Sequence, residues 1–254
     1  MRPILLVTVA ALLVFLSERA LAQAPAPAPA AAPATANAPA PADAATAPPA
    51  APAQAAAPVD FERLPNGDVR LGGITLHRAT GEISFPAVLN LQSGVIEVIV
   101  SLPDGRLHES LLKTEVKALH LQTLLLLANL KNGPRIRDEN GNQGDIGDLD
   151  LEWKDKDGKA VREPIEEWIV DTHTGKPMTR YGWAFVGSAV VDGIFQADAA
   201  CNLVINYSVA DTVLDIADKS GEDDTLYVGN DQKTVPGKDA PVRVIITPRQ
   251  RQKQ

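Results

Sequence analysis

The sequence has few of the residues from which redox and metal centres are usually built. Its 254 residues include one cysteine, Cys201, and four histidines. A single cysteine excludes an intrachain disulfide, a cysteine-ligated iron–sulfur cluster and C-x-x-C redox chemistry. We therefore expect a fold that is stabilised by packing, and no cofactor.

Several catalytic and binding signatures are also absent. The chain contains neither the H-E-x-x-H pattern of zinc hydrolases nor the G-x-S-x-G turn that exposes a nucleophilic serine. Its formal net charge is −8, and no basic stretch is interleaved with aromatic residues. Because an acidic chain repels phosphate groups, we expect no nucleic-acid partner.

The first 22 residues have the pattern of a secretory signal peptide. Arg2 precedes an apolar stretch at residues 4–16, which is shorter than the roughly 18 residues that a transmembrane helix needs. Small residues precede an expected cleavage site between Ala22 and Gln23. The pattern predicts an exported protein, periplasmic or extracellular, with no membrane span after cleavage. The alternative is an uncleaved leader that anchors the chain at the membrane.

Residues 23–58 are almost entirely alanine and proline, with Asp43 as their only charge. Proline removes amide donors and fixes φ, so the alanines cannot form a helix and extended polyproline II is favoured. The tract therefore predicts a disordered spacer, which could span about 110 Å at about 3.1 Å per residue. At the other end, residues 249–254 predict a disordered basic tail.

Residues 59–248 have the hydrophobic patterning of one globular domain. Alternating apolar side chains predict strands at 82–91 and 94–102, and a Pro-Asp-Gly sequence predicts a turn at 103–105. The chain would then return as a third, antiparallel strand at 107–112. The domain is therefore expected to open as a β-meander.

The leucine-rich residues 116–130 predict a helix that is apolar on nearly every side, with Thr114 as its N-cap. A helix of this kind is normally buried inside its own protein. We therefore expect an α+β fold, rich in antiparallel strands, around one buried apolar helix at about residues 115–131. Further short strands are expected at 149–153, 160–162, 183–186, 190–195, 203–207 and 242–247, and short helices at 164–168 and 211–218.

Several segments of the domain are similar to those of a known family. They are FPA at 85–87, GVIE at 94–97, GRLHESLL at 105–112, HL at 120–121, WAFVGS at 183–188, FQAD at 195–198, NLV at 202–204, VP at 235–236 and APV at 240–242, together with Asn90. Over roughly residues 60–248 the chain resembles the YdjY-like domain family. The resemblance implies an exported protein or lipoprotein without an established activity. Some members are described as ferredoxin-like, which a single cysteine excludes here.

His108, Glu109 and Ser110 are the first candidate site. On a strand, His108 and Ser110 would project from one face and Glu109 from the other, so a base and a hydroxyl could meet. Such a pair could serve a serine-type hydrolase, or a metal-dependent one together with His120. In the alternative interpretation, Ser110 and Glu109 bond to backbone amides and His108 bonds locally.

A metal site could also form from His108, Glu109, His120 and His173 if these residues meet in the fold. Their spacing matches none of the common zinc patterns. His120 lies on the mostly apolar helix, where a buried histidine bonded to a carbonyl or to Glu109 is the alternative.

Asp138, Asn140 and Asn142 begin a stretch that resembles an oxygen-rich calcium loop. The match then fails, because Gln143 occupies the position of the turn glycine and Leu149 the position of the closing glutamate. Aspartate, asparagine and glycine are also the usual residues of an exposed turn. A solvated loop is therefore favoured over a calcium site.

These observations favour a non-catalytic binding or interaction module of the cell envelope, with an unknown protein or polymer as its partner. The basis is the lack of a catalytic motif and the spacer, which would set the domain at a distance. The first alternative is a metal-dependent or serine-type hydrolase centred on His108, Glu109 and Ser110. The second is a domain stabilised structurally by calcium.

Overall fold

The computed structural model describes residues 61–249, so the predicted leader, its cleavage site, the spacer and the tail beyond Arg249 lie outside the described residues. The strands are β1 Phe61–Arg63, β2 Val69–Leu71, β3 Ile74–Leu76, β4 Ile83–Leu89, β5 Val98–Ser101, β6 Ser110–Lys113, β7 Ile146–Lys154, β8 Ala160–Pro164, β9 Ile169–Asp171, β10 Lys176–Pro177, β11 Trp183–Phe185, β12 Val190–Val191, β13 Ile194–Phe195, β14 Asn202–Ile205, β15 Leu214–Ile216, β16 Tyr227–Gly229 and β17 Pro241–Pro248. The helices are α1 Ala118–Leu127 and α2 Gln196–Ala199, with 3₁₀ turns at Leu107–Glu109, Ile165–Trp168 and Lys219–Glu222. Within this part of the chain, no helix is long and apolar enough to cross a membrane.

Eight of these strands close into a ring. Their hydrogen bonds run in the order β4, β17, β7, β11, β15, β14, β5, β6 and back to β4. Neighbours are antiparallel except for two parallel pairs, β14 with β15 and β5 with β6. A closed ring has no edge strand, and its inward side chains fill the interior. The fold is therefore a closed barrel that consists mostly of strands.

The two strands β7 and β17 show how the sequence builds the barrel wall. Along β7, Leu149, Leu151 and Trp153 are buried, whereas the alternate side chains, such as Asp150, are partly exposed. Successive side chains of a strand point to opposite faces, so apolar residues at every second position fill the interior. Along β17, Val244 lies inward by the same rule. The outward side chains of these strands are mostly polar, with Ile146 and Ile245 as exceptions.

Helix α1 is not the centre of the core. Leu121, Leu124 and Leu125 are fully buried on one side, but Leu119 is 40% and Leu126 is 50% exposed on the other. The interior is filled instead by side chains of the strands, and α1 packs against it through β3 and β14. The expected α+β fold around one buried apolar helix at about residues 115–131 is therefore wrong.

The expected opening β-meander is also wrong, although the turn at 103–105 is confirmed by the bond from the Gly105 amide to the Leu102 carbonyl (3.0 Å). After this turn, the 3₁₀ turn at Leu107–Glu109 intervenes before the next strand begins. Strand β6 then runs parallel to β5 and antiparallel to β4. This arrangement closes the ring.

Strand β4 has two different neighbours along the same edge. Ile83 and Ser84 pair with β3, the last strand of an extension formed by β1, β2 and β3. Val88 and Leu89 pair with β6. Pro86, which has no amide hydrogen to donate, lies between the two pairings. The extension therefore leaves the ring at the first half of β4.

Candidate functional site

The structure gives His108, Glu109 and Ser110 different partners. His108 lies in the 3₁₀ turn with its side chain 80% exposed. Ser110 begins β6, is fully buried, and donates its hydroxyl hydrogen to the Arg106 carbonyl at 2.6 Å. Glu109 pairs with Arg106 at 2.6 Å and lies 3.8 Å from His108. The predicted base and the predicted hydroxyl therefore do not form a pair.

The other predicted metal ligands are likewise dispersed. His120 is partly buried on α1, and its Nδ1 has no hydrogen-bond partner among the described residues. Burial lowers the pKa of His120, although the nearby charge of Asp198 opposes this shift. His173 is exposed on another part of the chain. Between residues 61 and 249, no three His, Cys, Asp or Glu side chains are grouped so that they could hold a metal.

Asp138, Asn140 and Asn142 do meet, as partners of one another. Asp138 Oδ1 accepts hydrogen bonds from the backbone amides of Asn140 (2.9 Å) and Asn142 (2.7 Å), and Oδ2 accepts one from Asn142 Nδ2 (3.0 Å). The bonds from the side chain and then the backbone of Asn142 are the main cause that lowers the pKa of Asp138. The carboxylate thus closes its own turn.

The clearest site was not predicted and lies on the outer side of the barrel wall, beside the β1–β3 extension. It is an open pocket of about 500 Å³. We call it the relay pocket, and its polar lining includes Asn66, Asp68, His77, Glu82, Ser84, Glu152, Arg162 and Arg243.

The local register of the extension brings the first two of these side chains together. Gly72 and Gly73, both with positive φ, form the two-residue turn between β2 and β3. In this hairpin Val69 pairs with Leu76, so the next residues outward, Asp68 and His77, lie opposite each other.

The pairing of β3 with β4 then brings in the serine. Thr75 pairs with Ser84, so His77, two residues further along, lies diagonally across from Ser84 on the same face. His77 Nδ1 is 3.0 Å from Asp68 Oδ2, and His77 Nε2 is 2.9 Å from Ser84 Oγ. The three side chains form one hydrogen-bonded relay, in which Asp68 and His77 flank the β2–β3 hairpin and Ser84 lies in β4.

Asp68 is held as a carboxylate. Partial burial acts to raise the pKa of Asp68, but hydrogen bonds from His77, from the Arg78 amide and from Asn66 outweigh it and leave the pKa below its ordinary value. An ionised carboxylate only accepts hydrogen bonds, so His77 Nδ1 must carry a hydrogen. In neutral His77, Nε2 is then the acceptor and the Ser84 hydroxyl is the donor. With neutral His77, the relay therefore runs from the Ser84 hydroxyl to the Asp68 carboxylate.

The two arginines of the relay pocket differ in how fully they are bonded. Arg162 donates to Glu82 (2.9 Å), Asp150 (2.8 Å) and Thr247 (2.9 Å). Arg243 is 53% exposed, and its polar side-chain contacts to other described residues are 3.4 Å or longer. Arg162 therefore has a structural role, because its donors are taken up by side chains on the outside of the barrel.

Arg243 faces the serine end of the relay. Its Nη1 donates to Ser84 Oγ at 3.4 Å, and its Nε lies 3.8 Å from Glu152 Oε1. A guanidinium has five donor hydrogens. Most of those on Arg243 therefore remain available to a molecule that enters the pocket.

The sequence held a signal for this site that the motif analysis missed. No short motif joins Asp68, His77 and Ser84, since they lie in a turn, after a strand and within a strand. The adjacent Gly72 and Gly73, however, are typical of a two-residue hairpin turn, which fixes the register of the strands on either side. Continued by one residue beyond Val69 and Leu76, that register places residue 68 opposite residue 77.

Comparison with protein-family models, with curated proteins and with solved structures gives no match. The resemblance to the YdjY-like domain family therefore stays a prediction from the residues quoted above. Function must be argued from the site itself.

Proposed function

We propose that this chain is an exported binding module of the cell envelope and that its relay pocket holds a small ligand with a carboxylate or carbonyl group. The observation that supports this proposal most strongly is the state of Arg243. It is half exposed in the pocket, and its contacts to Ser84 and Glu152 are long, at 3.4 and 3.8 Å. Planar guanidinium donors are well suited to carboxylate and carbonyl oxygens.

Two of the three carboxylates that line the pocket are paired with other residues, whereas Glu152 lies 3.8 Å from Arg243 itself. Glu82 accepts from Arg162 at 2.9 Å, and Asp68 accepts from His77 at 3.0 Å. An entering carboxylate therefore competes with Glu152 for one cation whose interactions are weak. Because a partly exposed ion pair contributes about 1 kcal/mol or less, small carboxylates should bind weakly.

The binding test is a ¹H–¹⁵N NMR titration of the protein with sodium acetate, at constant ionic strength with chloride as the compensating anion. We expect saturable shifts at Ser84 and Arg243 that disappear in Arg243→Gln. Arg70→Gln is the matched control, because Arg70 is 49% exposed but pairs with Glu62 at 3.3 Å and does not line the pocket. No saturable shift in the wild type, or equal shifts in Arg243→Gln, would contradict the proposal.

Export is supported by the leader pattern and by the spacer that follows it. The test is N-terminal sequencing of the protein recovered from outside the cytoplasm, which should begin at Gln23. Recovery of the whole chain from the cytoplasm, with its leader intact, would contradict export.

A further inference from the structure

We infer that Ser84 is a nucleophile that accepts acyl groups, and that the relay pocket hydrolyses esters of small acyl groups such as acetyl. The inference rests on the proposed function, because it makes the ligand of Arg243 the substrate and the product of a reaction. Its residues are different from the hydrolase candidates His108, Glu109 and Ser110 that the sequence suggested.

The hydrogen bonds among Ser84, His77 and Asp68 match those of an activated serine. In neutral His77 with its hydrogen on Nδ1, the Ser84 hydroxyl is the donor to Nε2 at 2.9 Å, and Nδ1 is bonded to Asp68 at 3.0 Å. A hydroxyl bonded to an oriented neutral imidazole can pass its proton on as it attacks, which is the general way in which serine is activated. The geometry therefore satisfies both the nucleophile-to-base and the base-to-orienter contacts.

Arg243 lies where it could stabilise the negative charge that forms during the attack. Attack by Ser84 turns the carbonyl oxygen of the ester into an oxyanion close to the attacking atom. Arg243 Nη1 lies 3.4 Å from Ser84 Oγ, so a charged donor stands beside the position where negative charge develops. A donor at this position would stabilise the developing charge, and such stabilisation is often the largest contribution to catalysis of this kind.

The depth of Ser84 limits the substrate. The residue is only 2% exposed, whereas the His77 side chain above it is 35% exposed. Ser84 lines the pocket together with His77 and Arg243, so an acyl group that reaches the hydroxyl must be short, and the alcohol part of the ester must lie in the open part of the pocket. Acetyl esters are therefore the expected class.

The reaction proceeds in two balanced stages. Ser84 Oγ bonds to the carbonyl carbon while its proton moves to His77 Nε2, and the bond to the alcohol oxygen then breaks as that oxygen takes the proton from His77. Water next adds to the acetyl-serine carbon and gives a proton to His77, which returns it to Oγ as the carbon–serine bond breaks. The products are the alcohol and acetic acid, which leaves as acetate and a proton. Asp68 is a positioning residue in both stages.

The experiment uses p-nitrophenyl acetate with the whole protein, followed by acid quench and peptide mapping. We expect an acetyl group on Ser84 in the wild type, and none on that peptide in Ser84→Ala. Ser110→Ala is the matched control, because Ser110 is an equally buried serine outside the pocket. His108→Ala controls for the exposed histidine, which could react with an activated ester directly. Acetylation at other residues only would overturn the inference, and the wild-type map gives this result even if a variant fails to fold.

The roles of His77 and Asp68 have separate readouts. His77→Gln should slow acetylation of Ser84 by about 100-fold or more, since it removes the general base. Asp68→Asn should slow it as well and should also change the imidazole ¹⁵N shifts of His77, because the tautomer is no longer fixed. Slowed acetylation with unchanged ¹⁵N shifts would overturn the positioning role of Asp68.

The two proposals can fail separately. Acetate binding at Arg243 without acetylation of Ser84 would overturn this inference and leave the proposed function standing. Acetylation of Ser84 without acetate binding would overturn the binding role of Arg243 and support the nucleophile.

Discussion

Gly72 and His120 are in direct contact, and the imidazole of His120 occupies the space that a side chain at residue 72 would need. Gly72 belongs to the turn between β2 and β3, where its φ is 52°. The turn that sets Asp68 opposite His77 is thus packed against helix α1, which carries His120.

We expect Gly72→Ala to destabilise the protein more than Gly81→Ala. Both glycines have positive φ, at 52° and 78°, so both substitutions introduce backbone strain of roughly 1–2 kcal/mol. Only at Gly72 would the new Cβ also overlap a neighbour, Nδ1 of His120, whereas Gly81 faces open space. Urea denaturation should show the larger loss for Gly72→Ala, and adding His120→Ala should reduce the difference. Equal losses for the two glycines would contradict the packing argument.

We expect Glu166→Gln to stabilise the protein at pH 8 but not near pH 4. Burial raises the pKa of Glu166 to about 7, although Arg180 bonds to it at 2.8 Å. In the unfolded chain the carboxyl loses its proton near pH 4.5, so between these values the unfolded state binds fewer protons than the folded state. The free energy of unfolding therefore falls as the pH rises through this window, by about 3 kcal/mol in total.

The measurement is urea denaturation of wild type and Glu166→Gln at pH 4 and pH 8. The free energy of unfolding of Glu166→Gln, relative to wild type, should increase with pH. The increase should reach about 3 kcal/mol, reduced by the contribution of the lost ion pair with Arg180. Glu167→Gln is the control, because Glu167 is the adjacent glutamate and its side chain is 43% exposed. A stability difference for Glu166→Gln that is independent of pH would show that burial does not raise this pKa.

We expect chelators to leave the melting temperature unchanged. Asp138 already closes its own turn, so Asp138→Ala should lower the melting temperature by the same amount in EDTA and in calcium. Asp155→Ala is the matched control, because Asp155 Oδ1 accepts from the amides of Asp157 and Lys159, each at 2.9 Å, in the same pattern. A calcium-dependent rise in melting temperature that Asp138→Ala alone abolishes would instead support the calcium-stabilised alternative.

Strands that are marked by an alternating pattern in their own sequence were predictable. The strand expected at 149–153 lies within β7, which has the period-2 alternation of a wall with one buried face. The strand expected at 242–247 lies within β17, which alternates over Val242, Arg243 and Val244 before Ile245 is buried as well. The helix expected at 211–218 is wrong, since this segment contains β15. All three residues of β15 are buried between β11 and β14, so they show no alternation from which a strand could be predicted.

The first turn of the helix expected at 116–130 also depends on a residue that local sequence does not reveal. The existence of this helix is confirmed by α1, but its expected N-cap is wrong, because Thr114 donates to the Pro86 carbonyl instead. The amides of Ala118 and Leu119 bond to the carboxylate of Asp198, at 2.7 and 3.4 Å. A capping group 80 residues away in the chain leaves no mark in the local sequence. The relay pocket depends on tertiary contact in the same way, apart from its glycine turn.

The relay joins two separate parts of the fold. Ser84 belongs to the wall of the ring, whereas Asp68 and His77 belong to the extension, whose strand β3 pairs with β4 through only two residue pairs. The bond between His77 and Ser84 therefore exists only while the extension is docked on the ring. Ile74 and Leu76 of β3 are also buried in the hydrophobic core, so the extension is held by packing as well as by strand pairing. The reactivity proposed for the hydroxyl is therefore a property of the assembled domain and not of Ser84 alone.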